Sequence, residues 1–185
     1  MTGKVHQFVA LKPVIYIYLF EGRPGINFST WSNDCTTETE KMTSSLSLMF
    51  FSTLWLGVLI GVSFVATPAK FNAESLSLIE ALDVGQHTFS TFRWIEGSFC
   101  AALLAHLLWL KDIRFFAPIV LVLVSLVAVQ VFVLLPTLGV RIDAYLSGTP
   151  PPPSSDHFTY ALIEIAKVVV LVALIVATAI NVSKD

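Results

Sequence analysis

Residues 158–176 read FTYALIEIAKVVVLVALIV, an apolar run that holds two opposite charges, Glu164 and Lys167, one helical turn apart. Lysine and glutamate are almost never fully buried in water-soluble proteins unless they are paired, so the solvent around this stretch must be identified first. The chain of 185 residues is 55% hydrophobic and only 13% charged, whereas soluble domains are about 25% charged. This composition predicts an integral membrane protein.

Four apolar stretches are candidates for membrane-spanning helices. Residues 42–69 and 115–140 carry no charged side chain, and each is longer than the roughly 20 residues that a spanning helix needs. Residues 97–110 and 168–183 are also uncharged but shorter, so a helix there can span only if it takes charges into the membrane. We predict an all-α, four-helix integral membrane bundle with spans at about 46–67, 91–110, 116–138 and 158–180.

Residues 1–41 differ in kind from the remainder. The apolar stretch PVIYIYLF, residues 13–20, is too short to span, and NFSTWSNDCTTETEK, residues 27–41, is polar and shows no helical or strand periodicity. We predict that residues 1–41 are a disordered tail or an extension ahead of a start at Met42, and that residues 42–185 form the membrane domain.

The segment between spans one and two has the features of a short helix. FNAESLSLIEALDVGQHTF, residues 71–89, carries apolar side chains at helical spacing. Ser77 and Glu80 fit a capping box at its start, and Gly85 suits its exit. The pattern predicts an amphipathic helix that lies at the membrane interface.

Two further patterns concern helix packing. Gly57 and Gly61 in GVLIG share one helix face, as in the small-residue motifs that allow helices to approach closely. In addition, QHTFSTFRWIE and DHFTYALIEIAK, which begin at residues 86 and 156, resemble each other. They indicate either two hairpins related as parallel repeats or independent helices with similar starts.

The polar residues inside the spans are predicted to share one depth. Spans two and four enter from the side opposite the N-terminus, which places Glu96, Glu164 and Lys167 about 7, 9 and 13 Å below their entries. Gln130 of span three and Ser63 of span one fall about 12 and 6 Å below the same side. Arg93 shares a helix face with Glu96, and Tyr160 shares one with Glu164, so these two residues complete the predicted polar layer.

The charges in this layer sum to zero, because two acids are matched by two bases. A charge at the centre of the bilayer costs about 2.5 to 3.5 kcal/mol on insertion scales, so these groups are expected to turn inward and pair. We expect Arg93 to pair with Glu164 and Glu96 with Lys167, with pairing inside each helix as the alternative.

Two functions are open for such a layer. Its polar groups can act purely as interhelical contacts in a structural membrane interaction protein. Alternatively, Glu96 and Glu164 exchange a proton or cation in a small transporter-like unit or an accessory subunit. We expect no enzymatic activity, because the sequence lacks a hydrolase constellation, a metal-ligand spacing and a phosphate-binding glycine loop.

A haem-binding membrane redox protein is a third alternative, in which two histidines from facing helices hold the iron. The candidates are His87, His106 and His157, but none of them forms a pair at matched depth inside the hydrocarbon. We therefore predict neither a cofactor nor a metal.

The expected partners are the lipid bilayer and other membrane subunits. The net charge is −2 and no basic block is present, which argues against nucleic acid. Four helices enclose little room, so a homo-oligomer or a larger membrane complex is expected. The Lys and Arg distribution favours both termini in the cytoplasm, although this bias depends on residues 1–41. We expect the plasma (inner) membrane as the location.

The exit of span one, GVLIGVSFVATPAKF, resembles the pattern of small four-helix membrane proteins of the transmembrane protein 205 family. The matching positions are Gly57, Phe64, Pro68 and Phe71. That group often has a histidine after a phenylalanine near the start of the last helix, whereas here His157 precedes Phe158. The resemblance implies a four-helix architecture and no activity.

Overall fold

A computed structural model describes the backbone of residues 28–108 and 113–183. Internal contacts divide the chain into two units, Met1–Lys41 and Met42–Asp185, and the second unit contains all the sites considered below. The prediction for the tail falls mostly on residues 1–27, which lie outside the described part.

The described residues are almost entirely helical and contain no strand. Helix α1 (Phe28–Leu59) leads through a π-helical turn (Ile60–Ala66) into α2 (Thr67–Phe71). Helix α3 (Leu78–Leu107) follows. Helix α4 (Ile113–Val129) leads through a second π-helical turn (Gln130–Leu134) into α5 (Leu135–Leu146), and α6 (Asp156–Val182) is the last described helix.

Helix α1 begins earlier than the sequence predicts. Its first residue is Phe28, so residues 28–41 are helical although they lack apolar periodicity. Extending an existing helix adds one hydrogen bond for each residue that is fixed, whereas starting a helix is unfavourable. A stable apolar helix can therefore continue into a polar tract that would not form a helix by itself.

Three helical segments are long and apolar enough to cross a membrane: Thr39–Phe71, Phe115–Leu146 and Asp156–Val182. They correspond to predicted spans one, three and four and extend beyond them. Helix α3, which includes residues 91–107 of predicted span two, does not meet this criterion over its described residues. Its apolar stretch is interrupted by Arg93, Glu96 and His106.

The separate interfacial helix predicted between spans one and two is not formed. Ser77 caps α3 itself: its hydroxyl accepts from Glu80 N, and the Glu80 carboxylate accepts from Ser77 N at 2.7 Å. The helix then runs without interruption through Gly85, which is buried. A Cβ at Gly85 would overlap Lys70 Nζ, so this glycine permits close approach of a side chain and does not end a helix.

The predicted Gly57 and Gly61 packing face meets no other helix among the described residues of this chain. Both glycines are exposed, and a Cβ at either position would meet nothing within 4 Å. Small residues promote helix packing only where a second helix lies opposite them. Here the opposite space is empty.

The core lies between the four long helical segments. Buried apolar side chains from each segment form one cluster, including Trp55, Phe92, Phe116 and Leu171. Many large apolar residues are exposed on the outside, among them Phe132 at 78%. Exposed apolar patches of this kind mark surfaces that water does not cover.

Candidate functional site: a buried three-charge cluster

Lys167 of α6 is the centre of the polar layer. Its ammonium donates to Glu96 Oε1 on α3 and, at 2.9 Å, to Glu164 Oε1 one turn earlier on α6. The Lys167 side chain is 0% exposed, and those of Glu96 and Glu164 are 2% and 3% exposed. The structure therefore joins two acids from different helices through a single base. We refer to Glu96, Glu164 and Lys167 as the three-charge cluster.

Glu164 is held by donors from two further segments. Ser63 Oγ donates to its Oε2 at 3.1 Å, and Gln130 Nε2 donates to its Oε1 at 2.9 Å. Gln130 Nε2 also lies 3.4 Å from the carbonyl oxygen of Tyr160. With Lys167, the Glu164 carboxylate thus accepts three hydrogen bonds, spread over both of its oxygens.

Glu96 is held less completely than Glu164. Besides Lys167, its contact is Trp55 Nε1, which donates to Oε1 at 3.4 Å. Both contacts use the same carboxylate oxygen. The Trp55 indole is fully buried and stacks on Phe99 with ring centroids 5.7 Å apart.

Trp55 was missed by the sequence reasoning. Tryptophan in membrane proteins is enriched at the two interfaces, whereas Trp55 lies in the middle of span one. A buried indole N–H usually requires an acceptor. The position of Trp55 in the middle of the span therefore indicates that a hydrogen-bond acceptor faces its indole N–H.

Arg93 does not join Glu164, which corrects the predicted pairing. Within the described residues it forms no ion pair, and its buried Nε has no hydrogen-bond partner. Its guanidinium carbon lies 5.4 Å from the centre of the Trp94 ring. Lys167 already occupies the place between the two carboxylates, so Arg93 is left outside the cluster.

The formal charges of the cluster consequently sum to −1, because two carboxylates face one ammonium. The predicted neutral layer assumed that Arg93 contributed the second positive charge. A buried charge without a partner is strongly unfavourable in a low-dielectric medium. The cluster is therefore one positive charge short of neutrality.

Ser63 and Gln130 both lie in π-helical turns. Each turn is followed by a proline in the first positions of the next helix, Pro68 in α2 and Pro136 in α5. A proline ring clashes with the preceding helical turn and lacks an N–H, and a widened turn accommodates both effects. Such π-turns occur frequently at functional sites. The two prolines thus explain why both polar residues sit on distorted backbone.

A cavity of about 380 Å³ lies next to the cluster, at the end where α2 and α5 are found. Tyr160 forms part of its wall and is itself buried, with its ring 5.0 Å from that of Phe89. The polar and charged residues of the wall include Lys70, Arg93 and His157. The predicted layer is therefore divided: Tyr160 and Arg93 line the cavity, whereas Ser63 and Gln130 donate to the three-charge cluster.

The histidines are engaged at separate places. His87 Nδ1 lies 3.4 Å from Asp83 Oδ1 on its own helix, and His106 Nε2 lies 2.8 Å from the carbonyl oxygen of Ser44. His157 lines the cavity. Within residues 28–108 and 113–183, no group of three or more His, Cys, Asp or Glu side chains is placed to hold a metal ion.

The sequence and the fold were compared with known proteins. No protein-family model, no curated protein and no solved structure matches this chain.

Proposed function

We propose that the chain is a four-span membrane protein that binds and releases a proton, or a small cation in its place, at the three-charge cluster. It would act as a small transporter-like unit or as the accessory subunit of a larger membrane complex. The observation that carries this proposal is the surplus negative charge of two buried carboxylates around one buried ammonium.

The arrangement of α3 supports a fourth span. Its charged residue Glu96 points inward to Lys167 of α6. From Trp94 to Leu108 all of its exposed residues are uncharged. The charged Glu96 is thus directed away from the outer face, which is uncharged and suited to lipid. Four spans would close the helices into a bundle.

A bound proton would make the cluster neutral. Ionisable groups inside membranes are typically parts of proton or ion paths because their charge is costly there. We assign the bound proton to Glu96, because its contacts use one oxygen, while Glu164 accepts three hydrogen bonds across both oxygens. Glu164 and Lys167 would then form the permanent ion pair.

A small cation is the alternative occupant. Gln130 Oε1 is buried without a hydrogen-bond partner among the described residues. It lies on the same side chain whose amide nitrogen donates to Glu164. Amide and carboxylate oxygens are the ligands that hard cations prefer.

A purely structural role is the competing function. Through Lys167, Gln130, Ser63 and Trp55, the cluster ties together segments from all four spans, as interhelical hydrogen bonds do in other membrane proteins. The two roles differ in one respect: a structural cluster need not change its charge.

The proposal is tested by proton flux into liposomes that contain the purified protein and a pH-sensitive dye. Glu96→Gln and Glu164→Gln should each abolish a flux that the wild type shows, while the exposed Glu74→Gln serves as the matched control. Melting temperatures are measured in parallel. The structural role is favoured if the wild type conducts no more than empty liposomes, or if the Gln variants conduct normally but melt earlier.

The membrane and the orientation also remain proposals. We place both termini on the cytoplasmic side of the plasma membrane, following the distribution of Lys and Arg. We further propose association into an oligomer, because four helices leave little room for a path. Kinship with the transmembrane protein 205 family stays a prediction.

A further inference from the structure

We propose that the cavity beside the cluster binds an amphipathic oxyanion, a molecule with a carboxylate or phosphate head and an apolar tail. This site is distinct from the proton site, and its test does not depend on the proposed function.

The cavity brings together two cations that have no acidic partner. Lys70 from α2 and Arg93 from α3 both line it. Neither forms an ion pair within the described residues; Lys70 Nζ lies 5.0 Å from the Phe71 ring and 5.6 Å from the Phe89 ring. The buried Arg93 Nε still requires an acceptor.

The described residues that line the cavity include no aspartate or glutamate. Asp143, outside the wall, already accepts a hydrogen bond from Gln86 of the wall at 3.2 Å. Glu164 is engaged in the three-charge cluster. Two positive groups, with His157 as a third polar group, therefore face a space that no side-chain anion of the described chain fills.

Size and lining select the class of ligand. At about 380 Å³ the cavity lies near the lower end of the range of about 300 to 1,000 Å³ that small-molecule sites occupy. Most of its wall is apolar, formed for example by Phe71, Phe89, Leu135 and Ile142. A bare inorganic anion would make no contact with this apolar wall. An oxyanion with an alkyl chain would pair with the two cations and also pack against the wall.

The arrangement of the cations suits an oxyanion in particular. An arginine guanidinium presents several N–H donors to carboxylate or phosphate oxygens, and a lysine ammonium adds a point charge. Gly85 leaves the space that the Lys70 ammonium occupies, because a Cβ at this position would overlap Nζ.

The test uses the full chain in nanodiscs of zwitterionic phosphatidylcholine, with dodecyl phosphate as the probe. We expect a saturable rise in melting temperature with dodecyl phosphate, and none with dodecanol or inorganic phosphate at the same concentrations. Lys70→Gln and Arg93→Gln should each weaken the apparent affinity about tenfold, the effect of losing one charge-assisted hydrogen bond.

Arg141→Gln is the matched control, since Arg141 is also a cation near this end but pairs with Asp156 at 3.8 Å and does not line the cavity. It should leave the affinity unchanged. The proposal is overturned if dodecanol or inorganic phosphate stabilises the wild type equally, or if Arg141→Gln weakens binding as much as Arg93→Gln. The comparison of dodecyl phosphate, dodecanol and inorganic phosphate needs only the wild type, so it decides the question even if a variant does not fold.

A second arm identifies the source of the ligand. Phosphatidylglycerol is added to the nanodiscs before the probe. If it removes the effect of dodecyl phosphate, the natural ligand is the headgroup of an anionic membrane lipid. If the effect persists, the site takes a free amphiphile in preference to the surrounding lipid.

Discussion

Replacing Lys167 by methionine should destabilise the protein more than any other single change at the cluster. The ammonium is fully buried and is the cation that contacts both Glu96 and Glu164. Removing one partner of a buried ion pair costs about 3 to 5 kcal/mol, because the remaining charge is left uncompensated. For a chain of this size, 1 kcal/mol corresponds to about 2 to 4 °C in melting temperature. We therefore expect Lys167→Met to melt about 6 to 20 °C below the wild type.

The loss should depend on pH and should be reversible by neutralising the acids. Protonation of the carboxyls relieves the repulsion, so the difference should be largest at about pH 8 and shrink at acid pH. The triple variant E96Q/E164Q/K167M contains no buried charge and should recover most of the stability, because neutral replacements of buried ion pairs are often well tolerated. Thermal unfolding of the wild type, Lys167→Met and the triple variant in the same lipid measures these differences.

The control is Lys70→Met, which removes a cation that has no acidic partner among the described residues. Equal losses of melting temperature for Lys70→Met and Lys167→Met at pH 8 would refute the reasoning.

Three further predictions concern the helices. Ser77→Ala should lower stability by about 1 kcal/mol through loss of the N-cap, and thermal unfolding measures this loss with Ser75→Ala as the control. Hydrogen bonds from Ser77 lower the pKa of Glu80, so the stability that Glu80 contributes should be present above its unfolded pKa and lost as the pH falls through its folded pKa. The stabilities of Glu80→Gln and the wild type should therefore converge in acid. Gly57→Ala should raise stability by up to about 1 kcal/mol, since the added methyl group meets nothing and alanine favours the helix; a loss of stability would restore the packing face. Tags at the two termini should be accessible from the same side of sealed vesicles if the chain has four spans, whereas opposite sides would indicate three.

The meeting of the polar residues could be predicted because depth follows directly from helix geometry. Each residue adds 1.5 Å along the axis, so the positions of Glu96, Glu164 and Lys167 relative to the charged loops fix their height. The structure brings these three together with Gln130 and Ser63. Height does not determine rotation about the helix axis, and this is why Arg93 was paired wrongly.

The features that were missed depend on neighbours that a single sequence does not reveal. Gly85 has the sequence appearance of a helix end, and only the ammonium of Lys70 beside it shows what a glycine makes room for within this continuous helix. Gly57 and Gly61 have the spacing of a packing motif, but no helix within the described part of the chain lies opposite them. The π-turns were indicated by Pro68 and Pro136, although the prolines do not show which polar side chains the turns redirect.

The central claim is that the buried cluster binds one proton to become neutral. Infrared difference spectroscopy of the protein in lipid bilayers tests it directly, because a protonated carboxylic acid has a carbonyl band that a carboxylate lacks. At about pH 6, where an exposed glutamate is ionised, the wild type and Glu74→Gln should show this band, it should disappear as the pH is raised, and Glu96→Gln should lack it. A wild-type spectrum without a protonated carboxyl band, or a band that Glu96→Gln and Glu164→Gln both leave unchanged, would contradict the account.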